Sequence, residues 1–234
     1  MAIILTLDTS TKNCSVALFN GNKIIALKEQ NSDGYTHAEQ LTLFIEEVIK
    51  SANLTLKEIE AIAISKGPGS YTGLRIGTST AKGLCYALDI PLISISTLKA
   101  MASTTAKNHV SDSYCPMIDA RRMEVFSAVY DVENNEIRKI QADVVDEQTY
   151  AQFLNNEVLF FGDGALKCKE SINHKNAKFL EGVYPSAKYL GELAHAKFMN
   201  KDFEDVAYFE PFYLKDFVAG KKNISWFFFF LQRH

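Results

Sequence analysis

A chain of 234 residues suits one or two domains, and 47% hydrophobic with 23% charged content is ordinary for a globular protein with a substantial core. A formal net charge of −3 gives no general attraction to nucleic acid or anionic membrane, so where RNA matters a partner supplies most of the positive surface. Basic runs stop at pairs, Arg121-Arg122 and Lys221-Lys222, and no stretch approaches the roughly 18–20 apolar residues that span a bilayer. Cys14, Cys85, Cys115 and Cys168 form no Cys-x-x-Cys pair, and the first residues do not read as a secretory signal. Reduced thiols in a cytoplasmic protein are expected.

In chain order, Ile3 to Leu7 reads as a strand ending at Asp8-Thr9-Ser10-Thr11. Cys14 to Phe19 and Lys23 to Leu27 read as strands joined across Asn20-Gly21, the favoured pair for a two-residue type I′ hairpin. Thr36-His37-Ala38-Glu39 is a capping box opening a helix, whose Leu41, Phe44, Ile45, Val48 and Ile49 make one apolar face. Thr55-Leu56-Lys57-Glu58 is a second capping box, on a shorter helix. Ala61 to Ser65 is a buried strand, followed by a glycine-rich turn and a helix running to about Leu88, where Asp89 and Pro91 end it. Leu92 to Ile95 is a strand and Thr97 to about Lys107 a helix.

The opening pattern then returns. Tyr114 to Ile118 ends at Asp119-Ala120-Arg121-Arg122, Glu124 to Tyr130 follows, and Glu133-Asn134-Asn135 turns into Ile137 to Ala142. Asp8 and Asp119 thus hold equivalent places in two related α/β lobes, residues 1–108 and 109–222, with a tail at 223–234. Sequence identity between the copies is small, so this is a repeat of structure. Helices are expected at Gln148 to Leu154 and Ser186 to Met199, the latter packing back on the first lobe. Between them lie the apolar Val158 to Phe161 and the turn Gly162-Asp163-Gly164.

The run Gly67-Pro68-Gly69-Ser70-Tyr71-Thr72-Gly73-Leu74-Arg75-Ile76-Gly77 is the most distinctive stretch. Strand, glycine-rich turn and helix aim backbone N–H groups and the helix dipole at one space, which favours an anion. A P-loop is excluded, because no Gly-Lys-Ser/Thr follows at the required spacing. Gly73, Gly77, Ala81 and Cys85 recur every four residues and leave one stripe nearly bare, although each helical glycine costs about 1 kcal/mol relative to alanine. Either the stripe packs on the chain's own sheet, or a helix of another subunit enters the shallow groove. The second is the expectation.

Asp8, Thr9 and Ser10 suit a loop that holds phosphate or a metal-bound water, or a turn that satisfies its own backbone. Asp119 and Arg122 either line a cleft opposite Asp8 or form a structural ion pair. His37 lacks a second histidine one turn on, where Leu41 stands, so it reads as an exposed or capping residue and not a metal ligand. Ser70 is in no Gly-x-Ser-x-Gly elbow, and no local Ser/His/Asp set suggests a nucleophile. Trp226 to Leu231 is an aggregation hazard unless covered.

Leu7-Asp8-Thr9-Ser10-Thr11, the glycine-rich run and Ile118-Asp119-Ala120-Arg121-Arg122, in this order and spacing, resemble the TsaB (YeaZ) family up to Pro211-Phe212-Tyr213-Leu214. Beyond about Lys222 no counterpart is recognised. The resemblance implies a two-lobed actin-like, sugar-kinase-like (ASKHA) α/β fold with duplicated ribonuclease-H-like mixed-sheet lobes. It implies a non-catalytic subunit in the synthesis of threonylcarbamoyladenosine on tRNA, paired with a TsaD-like catalytic subunit and joined by a TsaE-like ATPase. It also implies a homodimer when alone, tRNA contact mainly through the complex, and no membrane. The paralogue's metal-binding His-x-x-x-His becomes His37-Ala38-Glu39-Gln40-Leu41 here. No cofactor is implied for this chain with certainty, and ATP or ADP is only a candidate ligand at the complex. A nucleotide-like cleft is expected at Asp8, Thr9, Ser10, Gly67, Gly69, Asp119 and Arg122. Docking is expected through Leu41, Phe44, Ile45, Val48, Tyr71, Gly73, Leu74, Gly77 and Ala81. The rivals are a stand-alone ATP-hydrolysing or phosphoryl-transferring enzyme of the same fold, and a glycoprotease-like peptidase.

Overall fold

The structure, a computed structural model, describes residues 1–31 and 37–215. The first lobe runs β1 (Ile3–Asp8), β2 (Asn13–Asn20), β3 (Lys23–Asn31), α1 (His37–Ser51), β4 (Ala61–Ser65), α2 (Tyr71–Leu88), β5 (Leu92–Ile95) and α3 (Thr97–Asn108). The second runs β6 (Ser113–Asp119), β7 (Glu124–Asp131), β8 (Glu136–Val144), β9 (Val158–Phe161) and β10 (Ala177–Leu180), followed by α4 (Gly191–Met199). The two five-stranded sheets have the orders β3-β2-β1-β4-β5 and β8-β7-β6-β9-β10, so each repeats the other strand for strand. In both, the first strand pairs antiparallel with the second and parallel with the fourth. The duplication in the sequence is therefore a duplication of topology.

Strand alternation assigns the layers. Leu5, Leu7, Ile62 and Ile64 point to one face of the first sheet, under Leu41, Phe44, Ile45 and Val48 of α1 and Ala81 and Cys85 of α2. Ile4, Ala61, Ala63, Ile93 and Ile95 point to the other face and meet Ala100 of α3 with Leu190 and Ala194 at α4. Helix α3 lies between the lobes, for its Leu98, Met101 and Ala102 pack on Tyr114, Ile118, Phe126 and Tyr130 of the second sheet. The far face of the second sheet is closed by Tyr150, Leu154 and Ile172.

From Ser186 the chain returns to the first lobe. Ala187 N–H donates to Ser15 Oγ at 2.9 Å, and Thr6 Oγ1 donates to the Ala187 carbonyl at 2.9 Å. A strap over residues 204–215 then crosses α2: Glu204 N–H donates to the Leu92 carbonyl, and Phe212 N–H to the Lys66 carbonyl at 2.7 Å.

Several local readings shift. Asn20 stays in the ladder opposite Lys23, so the hairpin loop is Gly21-Asn22, and only Gly21 has positive φ, as in a type II′ turn. The Thr55–Glu58 box closes, with Thr55 N–H and Oγ1 both donating to Glu58 Oε2, but only a 3-10 turn at Leu56–Glu58 follows. Gln148 to Leu154 holds only the 3-10 turn Ala151–Phe153, and Ser186 to Met199 splits into the 3-10 turn Ala187–Tyr189 and α4. Strand β10 carries no strong alternation and is partly exposed, which is why the pattern missed it. Thr36 of the first capping box and Trp226 to Leu231 lie outside the described residues.

Candidate functional site

The strand-end loop and the glycine-rich turn meet directly. Ser70 N–H donates to the Ser10 carbonyl at 2.6 Å, and Thr9 Oγ1 donates to the Gly73 carbonyl at 2.7 Å. A Cβ on Gly69 would fall 2.7 Å from Ser10 Cβ and closer still to the Ser10 carbonyl oxygen. One on Gly73 would collide with the Thr9 carbonyl oxygen, and one on Gly77 with Thr9 Oγ1. The glycines thus serve backbone-to-backbone packing inside the lobe. Gly67, at φ +109°, faces the Phe212 carbonyl of the strap.

Asp8 is 1% exposed, with its Oδ1 accepting from Ser10 N–H at 2.9 Å and Ser10 Oγ at 2.7 Å. Burial pushes its pKa up to about 6, against the lowering pull of these bonds and of Ser65. Thr9 and Ser10 are equally buried. At the expected cleft residues Asp8, Thr9, Ser10, Gly67 and Gly69, the turn sits directly on the strand-end loop.

The second lobe repeats the arrangement in a looser form. Asp119, exposed, accepts from Arg121 N–H at 2.8 Å and pairs with Lys167, while its own N–H donates to Asp163 Oδ1 at 3.1 Å. Burial, followed by repulsion from Asp119, raises the Asp163 pKa to about 6. Gly162, at φ +107°, packs on the Met117 carbonyl as Gly69 packs on Ser10. Arg121 and Arg122 both adopt left-handed backbone, at φ +71° and +49°, and both side chains are exposed. Asp119 and Arg122 do not bond to Asp8; each strand-end aspartate is satisfied within its own lobe. Of the two readings offered for Asp119, it forms an ion pair, with Lys167 and not with Arg122.

His37 is buried, not exposed. Its Nε2 bonds the Thr11 carbonyl at 2.7 Å, which requires the proton on Nε2, and its ring lies 3.4 Å from the Cβ position of Gly73. Burial lowers its pKa. The histidine ties the start of α1 to the strand-end loop. Among the described residues, no group of three or more His, Cys, Asp or Glu side chains is placed to hold a metal ion.

Most of the expected docking residues are covered by the chain itself. Leu41, Phe44, Ile45, Val48, Gly73, Leu74, Gly77 and Ala81 are buried within the single chain, under its own sheet and loop. Helical periodicity shows that one stripe is bare, but not which way it turns. Tyr71 alone of the set is half-exposed, its ring carrying the Arg75 guanidinium 4.2 Å from the centroid.

What faces outward is the opposite ridge of α2: Thr72, Ser79, Gly83 and Tyr86, with Ile76 half-buried at its edge. Tyr86 is 87% exposed, and a Cβ on Gly83 would meet nothing within 4 Å. On α1, Leu43 is 55% exposed. The sequence did carry a signal for this ridge, since Gly83 and Tyr86 lie off the four-residue stripe, as did the Leu43 position on α1.

A doubled sheet with a crossover helix between the copies defines a two-lobed α/β protein of the actin-like, sugar-kinase-like class. Residues 32–222 match the family model described as TsaD, tRNA N6-adenosine threonylcarbamoyltransferase. The chain is 32% identical over 229 residues to the tRNA threonylcarbamoyladenosine biosynthesis protein TsaB of Haemophilus influenzae, covering 94% of this chain and 96% of that one. To the protein of that name in Escherichia coli it is 30% identical over 228 residues, at 94% and 97% coverage. The structure superposes on YeaZ from Pseudomonas aeruginosa with a TM-score of 0.77 at 25% identity, over 92% of this chain and 100% of the other. The chain belongs to the TsaB (YeaZ) family.

Proposed function

We propose that this protein acts in the synthesis of threonylcarbamoyladenosine on tRNA as a non-catalytic subunit. It would pair with a TsaD-like transferase, form a homodimer in its absence, and offer part of the surface that receives a TsaE-like ATPase and tRNA. The names of its relatives supply the pathway. The observation that supports the non-catalytic reading is the tightly packed strand-end loop, where Gly69 and Gly73 press on Ser10 and Thr9.

Docking through the first lobe is kept, with a different face. The outer ridge of α2 around Gly83, with Tyr86 exposed one turn on, offers a shallow place where a partner helix can approach, and Leu43 is an exposed apolar residue of α1. The protein would act by ordering the partner's cleft, and the cytoplasm is its expected compartment.

Reconstitution tests this reading. tRNA modification by the catalytic subunit and the small ATPase should require this chain, and the chain alone should show no ATP binding by calorimetry with magnesium. Modification that proceeds at full rate without it, or saturable ATP hydrolysis by the chain alone, would overturn the proposal.

A further inference from the structure

On the flank of α2 that faces the strap lies a cavity of about 260 Å³, lined by Arg75, Thr78, Ser79, Lys82, Pro211 and Tyr213. The four helical residues stand at i, i+3, i+4 and i+7, so they share one side of the helix. This side adjoins the docking ridge, with which it shares Ser79, and is distinct from the strand-end loops.

The donors there are held and only partly used. Arg75 stacks on the Tyr71 ring at 4.2 Å and donates from Nε to Tyr213 Oη at 3.3 Å, which fixes the guanidinium and leaves its terminal N–H groups available. Lys82 Nζ donates to the Ala207 and Phe209 carbonyls at 2.9 and 3.2 Å, with one N–H remaining. Thr78, 7% exposed, has a buried Oγ1 with no hydrogen-bond partner, not even the carbonyl one turn back that a helical threonine ordinarily takes. That hydroxyl, covered in its present rotamer, has an unmet need for a polar partner, and rotation about χ1 would turn it from its buried position into the cavity that Thr78 lines. Glu210, adjoining Pro211, adds a negative charge felt by Arg75 and partly offsets the pair.

We propose that this pocket binds the phosphate group of a small phosphomonoester or free phosphate. The three terminal oxygens of a monoester match three donor sets: the Arg75 fork, the Thr78 and Ser79 hydroxyls, and the remaining Lys82 N–H. The cavity is smaller than the roughly 300–1,000 Å³ of sites for drug-sized molecules, so it receives the phosphate and little of what the phosphate is attached to. The inference goes beyond the tRNA-modification reading and does not rest on it.

The test is titration of the purified full chain with inorganic phosphate, adenosine 5′-monophosphate, acetate and a short single-stranded RNA, followed by calorimetry and by phosphorus NMR. Saturable binding of phosphate and the monophosphate is expected, with acetate at least tenfold weaker. Arg75→Gln should weaken phosphate binding roughly tenfold or more, and Thr78→Val roughly threefold to tenfold. Glu210→Gln should tighten it by roughly twofold to fivefold. Thr78→Val buries a methyl where an unpaired hydroxyl stood, so its melting temperature should hold or rise while binding falls, which separates a lost ligand contact from a lost fold. No saturable phosphate binding up to on the order of 10 mM, equal affinity in Arg75→Gln and Thr78→Val, acetate bound as tightly, or binding of RNA alone would each overturn the proposal.

Discussion

Thr9 holds Gly73 from two sides: its hydroxyl donates to the Gly73 carbonyl at 2.7 Å, and its own carbonyl oxygen fills the space a Gly73 Cβ would need. The strand-end loop is thereby clamped to the first turn of α2. The N-terminus of this helix is capped from within, with Gly73 N–H donating to Ser70 Oγ at 3.3 Å.

Gly73→Ala should therefore destabilise the protein, by about 1–3 kcal/mol or more, because the obstruction is backbone and cannot rotate away. Gly77→Leu should be worse still, since Thr9 Oγ1 and Ile64 both stand in its way. Denaturant unfolding of the two variants checks this. A Gly73→Ala protein of wild-type stability would show that the loop and turn are not in contact in solution.

Asp8 predicts a pH dependence on the acid side. Its folded pKa, about 6, lies above the value of 3.8 for the unfolded chain, so the folded state prefers the protonated acid. This contribution is fully present below pH 3.8, is lost as pH rises through about 6, and is flat above that. The shift corresponds to about 3 kcal/mol. Asp8→Asn lacks the titration, so its stability relative to wild type should climb by about that amount between pH 4 and pH 7. A difference independent of pH would contradict the assignment.

In the second lobe, Arg138 donates to Asp143 Oδ1 at 2.6 Å and to Oδ2 at 2.9 Å, with Ser127 Oγ and Tyr150 Oη completing the carboxylate's partners. Burial raises the Asp143 pKa, yet the bonds to Arg138 and Ser127 outweigh it and the net shift is downward. Arg138→Met should cost about 3–5 kcal/mol near neutral pH by stranding that carboxylate. The Asp143 contribution of the wild type is present above the unfolded carboxylate range and is lost on acidification, so the deficit of the variant should shrink as pH falls. Chemical unfolding at pH 7 and pH 4 measures both.

The fold was legible because each lobe announces itself through the same strand–aspartate–strand–turn–strand order, and because α2 carries its own punctuation. Ser70 caps it, and Asp89 ends it in left-handed conformation at φ +53°. The site was less legible. Four-residue spacing of Gly73, Gly77 and Ala81 is equally compatible with a visiting helix and with the chain's own Thr9 loop, and only the placement of β1 beside β4 decides between them. The Arg75 pocket was invisible for a related reason: one wall comes from Pro211 and Tyr213, more than a hundred residues away, and no local pattern announces where the strap will lie.

Gly83 separates folding from docking in a way that Gly77 cannot. Nothing lies within 4 Å of a Cβ there, so Gly83→Ala should stabilise the isolated chain by up to about 1 kcal/mol through helix propensity alone. Gly83→Trp should leave the monomer folded for the same reason, while its bulk stands where a partner helix would approach α2 near Tyr86. Size-exclusion chromatography with a TsaD-like subunit, read beside thermal unfolding, should then show the tryptophan variant folded but unpaired. Undiminished pairing by Gly83→Trp would move the interface off the outer ridge of α2, and loss of folding by Gly83→Ala would show that the ridge is not open to solvent.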